Sequence, residues 1–242
     1  MQIYEIGAII LLAAAVHASF GLSISMLTVM SGHALGKRTA ARRVLRLSSA
    51  FALGVMTMIM LMVSLLALVV ANFLPKETPQ IIWSGVCGLM VGLGVAVWAF
   101  YYRHREQGTV LWLPRSLAGY LSVRSRATKQ PAEAFGLGLS SVFAELLFTA
   151  APMLLTALLL VRLDAPLQIV GLIGYSLLAS LPLFIITMLV GGGHSLSKIQ
   201  RWREQNKRFL QFAAGSALII LGMMLYVDTV LSHSLLPIGD WQ

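Results

Sequence analysis

The sequence predicts an all-α integral membrane protein with six transmembrane helices, and three observations support this prediction. Apolar residues make up 58% of the chain and charged residues only 11%, whereas soluble domains contain roughly 45–50% and about 25%. The apolar residues form long runs, as in segments that cross a bilayer. Lys and Arg are concentrated in alternate loops between these runs, which is typical of cytoplasmic loops.

Six apolar stretches are each long enough to cross about 30 Å of hydrocarbon. The predicted spans are residues 6–30, 47–71, 80–101, 135–160, 166–189 and 209–231. The first span begins without the basic region of a secretory signal and continues past a normal cleavage point. We therefore expect it to be retained as a helix.

The basic residues predict the orientation of the chain. Loops one, three and five contain sixteen Lys and Arg residues, whereas loops two and four contain only Lys76 and Arg162. This bias places loops one, three and five in the cytoplasm and both termini outside, in a cytoplasmic (inner) membrane. The net charge of +9 is then explained by contacts with anionic headgroups, so the expected partner is the lipid bilayer and not nucleic acid.

Two pairs of segments indicate an internal duplication. The segment FGLSISML (20–27) aligns with LFTAAPML (147–154) at an offset of 127. Two glycines seven positions apart in the third span recur in the sixth at an offset of 130: Gly85, Gly92, Gly215 and Gly222. Because each half has three spans, the halves would insert in opposite orientations, which gives the inverted repeat of many secondary transporters.

The duplication divides the chain into three parts. Residues 1–102 form the first three-helix half, residues 103–134 a cytoplasmic amphipathic linker, and residues 135–242 the second three-helix half. In the linker, Leu113, Leu117 and Leu121 recur at helical spacing, which favours a short helix on the membrane surface. An irregular basic linker is the alternative.

Two ionisable residues lie near mid-depth of the predicted bundle, where such groups usually face the bundle interior or a wet cavity. Glu145 is in the fourth span and His17 in the first. At an offset of 127, Glu145 corresponds to Ala18, so we expect the two halves to bring the carboxylate and the imidazole together. Such a pair can exchange a proton or bind a cation. The alternative is a structural hydrogen bond that only fixes helix packing.

Polar side chains flank both ionisable residues at helical spacing. Pro152 cannot donate an amide hydrogen to the carbonyl of Phe148, which favours an ion or water ligand there. The candidate substrate- or ion-binding residues are His17, Ser19, Ser25, Ser141, Glu145, Thr149, Pro152 and Ser180. For the hydroxyl groups alone, bonds back to their own helix are the competing explanation.

The sequence indicates neither an enzyme nor a cofactor. No nucleophile–base pair or metal-ligand motif is present, and the single cysteine, Cys87, excludes a disulfide within the chain. A metal site is left unassigned, because the methionines are better explained by adaptable packing than by a soft-metal path. Gly88 and Gly92 form a GxxxG pair that predicts close helix contact, within the bundle, with a second copy or with another membrane protein.

In layout the chain resembles the LysE-type transporter superfamily, and within it the membrane domain of the CcdA and DsbD-like reductant carriers. The resemblance is one of pattern over most of the chain, and the segments GLSSVFAELLFTAAPMLLTALLL and GYSLLASLPLFIITML carry it. Those carriers use one cysteine in each half, close to a proline. Here the corresponding residues are Ala151, before Pro152, and Ile24, before Ser25, so a thiol relay is excluded and the resemblance implies a different cargo.

These observations lead to two functional expectations. The first is a small secondary transporter that exports a small cation or solute and couples this movement to protons, with Glu145 as the coupling carboxylate and His17 as its partner. The second is a non-transporting accessory or assembly subunit of a membrane complex, bound through Gly88 and Gly92 or through the linker.

Overall fold

The computed structural model describes residues 2–20, 38–75, 78–101, 128, 130–191, 202 and 205–231. All regular structure in this part of the chain is helical, which confirms the all-α fold. The helices are α1 (Ile3–Ser19), α2 (Arg38–Phe73), α3 (Gln80–Tyr101), α4 (Pro131–Leu160), α5 (Ala165–Gly191) and α6 (Lys207–Tyr226). A π-helical segment, Val227–Leu231, extends α6.

Five of these helices, α2 to α6, are long and apolar enough to cross a membrane, so the chain is a multi-pass membrane protein. The described part of α1 is apolar but shorter, with 17 residues, which is roughly 26 Å at 1.5 Å per residue. The remainder of the predicted first span lies outside the described residues. So do Ser25 and most of the linker 103–134.

Two helices begin four or more residues earlier than the hydropathy predicts. The second span was expected from residue 47, but α2 begins at Arg38, and α4 begins at Pro131 instead of residue 135. Hydropathy marks only the segment that matches the hydrocarbon, whereas helical hydrogen bonds continue into polar sequence beyond it. Pro131 suits the first turn of α4, where a missing amide hydrogen costs nothing.

The N-termini of α1 and α4 have the same local structure. The carboxylate of Glu5 accepts a hydrogen bond from the backbone N–H of Gln2 (2.7 Å). The carboxylate of Glu133 accepts the same bond from Gln130 (3.2 Å). These bonds satisfy an amide hydrogen that the helix itself leaves open. Both residues of the motif recur at an offset of 128, so the two helices begin at equivalent positions.

α4 is the central helix of the bundle. Most of its apolar segment is buried, whereas only about a third of the corresponding segment of α2, α3, α5 and α6 is buried. Those outer helices present large apolar side chains outwards, such as Leu61, Leu65 and Leu68 of α2. This distribution is expected of a bundle whose surface faces lipid and whose interior is closed around one helix.

The helix pairs that are in contact are almost the same when α1, α2 and α3 exchange places with α4, α5 and α6. The most extensive contact joins α2 to α4, and its exchanged counterpart joins α5 to α1. The contact between α1 and α6 likewise corresponds to that between α4 and α3. The contacts α1·α4, α2·α5 and α3·α6 are their own counterparts, because the exchange only swaps the two helices of each pair. Only α4·α5 lacks a comparable counterpart among the described residues. This pattern is the one expected of two equivalent three-helix units.

A close approach of two glycines allows the contact between α2 and α4. A side-chain carbon placed on Gly54 would collide with the backbone carbonyl of Phe135, and one on Gly138 would collide with that of Phe51. The two backbones therefore touch at a point where only glycine fits, as is common where membrane helices pack closely.

Candidate functional site

The site lies where α1 packs against α4 and α5. The ring of Phe20, directly after α1, stacks on the ring of Phe148 in α4, with centroids 5.7 Å apart and an angle of 15° between the planes. These residues are 128 positions apart, the same offset as the two capping motifs. With this offset the counterpart of Glu145 is His17 itself, and not Ala18 as the alignment at 127 had predicted.

His17 is buried in the bundle, with 2% of its surface exposed. Its Nδ1 atom lies 2.8 Å from the hydroxyl oxygen of Tyr175 in α5, which is within hydrogen-bonding distance. The two rings meet edge to face, 5.7 Å apart at 63°. The partner of this imidazole is therefore Tyr175, and the expected pairing of His17 with Glu145 is not the contact that the structure shows.

The geometry of α1 and α4 explains why the carboxylate and the imidazole do not pair. Three crossings separate these helices, so they run in opposite directions across the bilayer. His17 and Glu145 each precede their stacked phenylalanine by three residues. They therefore lie on opposite sides of the ring stack, about 9 Å apart along the bundle axis at 1.5 Å per residue.

The contact between His17 and Tyr175 joins α1 to α5. Tyr175 is fully buried, and a hydrogen bond that is shielded from lipid in this way fixes the arrangement of the helices it joins. The hydroxyl of Thr156, which is also fully buried, donates to the backbone carbonyl of Pro152 within α4 (2.8 Å).

Glu145 lies in the middle of α4 with 5% of its surface exposed. The hydroxyl of Ser141 donates to the carbonyl of Gly138 (2.8 Å), and that of Thr149 donates to the carbonyl of Glu145 (3.1 Å). Both hydroxyls use their hydrogen within the helix, as the competing explanation had predicted. Ser141 and Thr149 lie on the same helix face as the carboxylate, one turn before it and one turn after it.

The other predicted site residues have different surroundings. Ser19 is exposed, and its hydroxyl donates to the carbonyl of Val16 (2.6 Å), so it does not contribute to the buried site. Ser180 is fully buried and donates to the carbonyl of Ser176 (2.5 Å). The carbonyl of Pro152 accepts a hydrogen bond from the hydroxyl of Thr156.

Tyr175 is the polar residue of this site that was not predicted from the sequence. Carboxylates and imidazoles at mid-depth stand out in the sequence as ionisable groups, whereas a phenol does not. Tyr175 is ten residues into α5, or about 15 Å from its start, and a buried Tyr hydroxyl usually requires a hydrogen-bond partner. The need of a buried tyrosine hydroxyl for a hydrogen-bond partner was therefore the feature that could have identified Tyr175 from the sequence.

The opposite ends of α3 and α4 meet at one face of the molecule. The guanidinium of Arg162, in the connection after α4, lies 4.7 Å from the ring centroid of Trp83, in the first turn of α3. Trp83 is buried, and burial lowers the pKa of Arg162 from its ordinary value. The two basic-poor loops therefore lie on the same side, as the topology prediction requires.

Within the described residues, no three His, Cys, Asp or Glu side chains cluster in a way that could hold a metal ion. No protein-family model, curated protein or solved structure matches the chain. A function for the chain therefore rests on the geometry of His17, Glu145 and their neighbours.

Proposed function

We propose that this chain is a small secondary transporter that couples movement of a small cation or solute to movement of protons. Glu145 is the coupling carboxylate, and His17 is its counterpart in the other half of the molecule. The observation that carries the proposal is the equivalence of these two buried ionisable residues, which occupy the same position of α1 and α4 at an offset of 128.

Equivalent ionisable residues in two related halves suit alternating access. In many transporters the substrate or coupling ion binds near the bilayer midplane, where the repeats meet. The stacked rings of Phe20 and Phe148 separate an imidazole region on one side from a carboxylate region on the other. A rocking motion of one half against the other would expose these regions in turn.

The groups around Glu145 are suited to a proton or a hard cation. The hydroxyl oxygens of Ser141 and Thr149 flank the carboxylate on its own helix face. Carboxylate, hydroxyl and carbonyl oxygens are the ligands that hard cations prefer. A buried carboxylate requires a compensating proton or positive charge, so exchange of one for the other is a coupling step that this site can support.

The cargo can be identified by ligand-dependent stability. A thiol-reactive fluorescent dye reports unfolding through Cys87, which is the only cysteine in the chain and is buried. Purified protein is screened against alkali and divalent cations, amino acids and short peptides. We expect one class of solute to raise the unfolding temperature of the wild type and of Glu133→Gln, an exposed carboxylate of α4, but not of Glu145→Gln. A stabilising solute that acts equally on all three proteins would contradict the assignment of Glu145.

The resemblance to LysE-type transporters accords with this proposal. The absence of their cysteine pair limits the kind of cargo that this chain could carry. With Ala151 before Pro152, the chain cannot carry reducing equivalents by thiol exchange. We further propose that the protein resides in a cytoplasmic (inner) membrane with both termini outside, since sixteen of the eighteen basic residues lie in the first, third and fifth stretches between the predicted spans.

A second candidate is a non-transporting accessory or assembly subunit, and one observation favours it. Side-chain carbons placed on Gly88 and Gly92 of α3 would meet nothing within 4 Å, so this GxxxG pair does not pack within the described bundle. A second copy or another membrane protein could use it. Copurification in mild detergent tests this role: a stoichiometric partner that is lost in a Gly88→Leu/Gly92→Leu variant would favour the accessory subunit over the transporter.

A further inference from the structure

We propose that Phe20 and Phe148 form the central proton barrier of this chain and prevent protons from passing between Glu145 and His17 unless cargo moves. The role of the barrier in coupling rests on the proposed function. Its position does not, because it follows from the contact of the two rings and from the contacts between helices.

The contact between α3 and α6 indicates where the axis of the repeat lies. A side-chain carbon placed on Gly94 of α3 would collide with the backbone carbonyl of Gly215 in α6, at 2.7 Å. One placed on Gly222 of α6 would meet the backbone carbonyl of Cys87 in α3, at 3.1 Å. Each residue of α6 follows its counterpart in α3 by 128 positions, Gly222 after Gly94 and Gly215 after Cys87. The two contacts are therefore counterparts, at the same offset that relates the two stacked rings.

A position on this axis suits a barrier that must act throughout a transport cycle. In an inverted repeat, rocking of one half against the other around a fixed central site opens the path to each side in turn. Groups away from the axis exchange their surroundings in that step. Phe20 and Phe148 contact each other at an offset of 128, so the pair is its own counterpart and stays at the centre in both states.

The two rings close the interior between the ionisable residues. Phe148 is buried, Phe20 packs against the core, and the rings stack at a separation typical of aromatic pairs in contact. The residues between each ionisable residue and its ring add no proton relay. In α4 they are Leu146 and Leu147, and in α1 they are Ala18 and Ser19, whose exposed hydroxyl donates to its own helix. Along these two helices a proton could therefore cross only through water.

Removal of both rings would admit that water. An apolar cavity stays dry, whereas a cavity with polar partners holds water. Here a carboxylate and an imidazole would lie at either end of the vacated space, about 9 Å apart along the bundle axis. About two or three waters span such a gap, because oxygens in a hydrogen-bonded chain lie about 2.8 Å apart.

These waters would carry a proton without cargo. The carboxyl group of Glu145 gives its proton to the first water and becomes a carboxylate, and the last water gives a proton to the imidazole of His17. The imidazolium releases a proton on its own side of the stack, and the carboxylate takes up a new proton on the other side. Each cycle thus moves one proton across the level of the rings and leaves the protein unchanged.

Proton leak in proteoliposomes without added solute tests the proposal. A pH gradient is imposed across vesicles that contain a pH-sensitive dye, and the membrane potential is clamped with potassium and valinomycin. We expect Phe20→Ala/Phe148→Ala to leak roughly tenfold faster than the wild type or more, because water replaces the rings. Phe20→Leu/Phe148→Leu keeps apolar bulk at both positions and should leak at a rate close to that of the wild type. A folded double alanine variant that leaks no faster than the wild type would overturn the proposal.

Two further variants show whether the leak passes through this site. Trp98→Ala/Phe212→Ala removes the other stacked pair, which lies between α3 and α6 with both side chains exposed, and should not leak. Glu145→Gln, added to the double alanine variant, should return the leak towards the wild-type rate, because an amide cannot release a proton. An equal leak from Trp98→Ala/Phe212→Ala, or a leak that Glu145→Gln leaves unchanged, would show that the rings are not this barrier.

The barrier and the transport function fail separately. A leak that requires both alanine substitutions and Glu145, in a protein whose wild type shows no solute-dependent flux, would preserve the barrier and reject the transporter. Solute-dependent proton flux that is unchanged in the double alanine variant would preserve the transporter and reject the barrier. Unfolding monitored at Cys87, which is buried, shows that each variant is folded before its flux is measured.

Discussion

Phe20 and Phe148 stack on one another across the contact between α1 and α4, with ring centroids 5.7 Å apart. They are 128 positions apart, which is also the offset between the capping motifs of α1 and α4 and between His17 and Glu145. In an internal repeat, a residue that contacts its own counterpart is expected close to the axis that relates the two halves. The stack lies between His17 and Glu145 along the bundle.

The first prediction concerns the energy of this stack. In a double-mutant cycle with Phe20→Leu and Phe148→Leu, we expect a coupling of about 0.5–1.5 kcal/mol, because stacked rings attract each other beyond the area they bury. The free energy of unfolding is measured in mixed micelles titrated with sodium dodecyl sulfate. The same cycle on the stack of Trp98 and Phe212, with centroids 5.4 Å apart, gives a reference value for the coupling energy. Coupling below about 0.3 kcal/mol would mean that the two sites act independently.

The second prediction concerns the glycine contact between α2 and α4. Gly54→Ala should lower the free energy of unfolding by about 1–3 kcal/mol, because the added methyl group meets the backbone of Phe135. Gly88→Ala is the matched control, since a side chain there meets nothing within 4 Å. It should be neutral or slightly stabilising, because alanine favours the helix. Equal effects of the two substitutions would refute the close approach of α2 and α4.

A third prediction concerns Thr187 in α5. Its hydroxyl is buried and has no hydrogen-bond partner among the described residues. Replacing it by valine removes an unsatisfied polar group with little change of shape, so Thr187→Val should raise the free energy of unfolding by about 1 kcal/mol. Thr229→Val, which removes a hydroxyl bonded to the carbonyl of Leu225 (2.6 Å), should not. Destabilisation by Thr187→Val would show that the hydroxyl has a partner in the membrane-embedded protein.

The fourth prediction concerns orientation. Alkaline phosphatase fused after residue 242 should be active and a green fluorescent protein at the same position dark, because the C-terminus is proposed to lie outside. Fusions in loop three should give the opposite result. A fluorescent C-terminal fusion with inactive phosphatase would contradict the assignment from basic residues.

The fold was largely predictable because the bilayer imposes strong and simple constraints. Apolar length identified the five long helices, and the predicted bounds of α3, residues 80–101, agree with the structure. The beginning of α2 at Arg38 was missed because a helix continues into polar sequence without any hydropathy signal. Pairings between helices, such as α2 with α4, depend on glycine contacts that composition alone does not reveal.

The site was only partly predictable. Burial of ionisable residues is costly, so Glu145 and His17 could be selected from their depth alone. Their separation was not predicted. The alignment was shifted by one residue, and the pairing of His17 with Glu145 was assumed without placing each residue along the antiparallel helices α1 and α4. The contact of His17 with Tyr175 joins residues 158 positions apart, and no local pattern predicts such a contact.

The most direct test of the central claim is proton movement in proteoliposomes. The protein is reconstituted with a pH-sensitive dye inside the vesicles, and the rate of internal pH change is recorded when a gradient of the stabilising solute is applied. We predict solute-dependent proton flux in the wild type and in Glu133→Gln, and at least a tenfold lower rate in Glu145→Gln, because a neutral amide cannot exchange a proton for a cation. Undiminished flux in Glu145→Gln, or no solute-dependent flux in the wild type, would contradict the account.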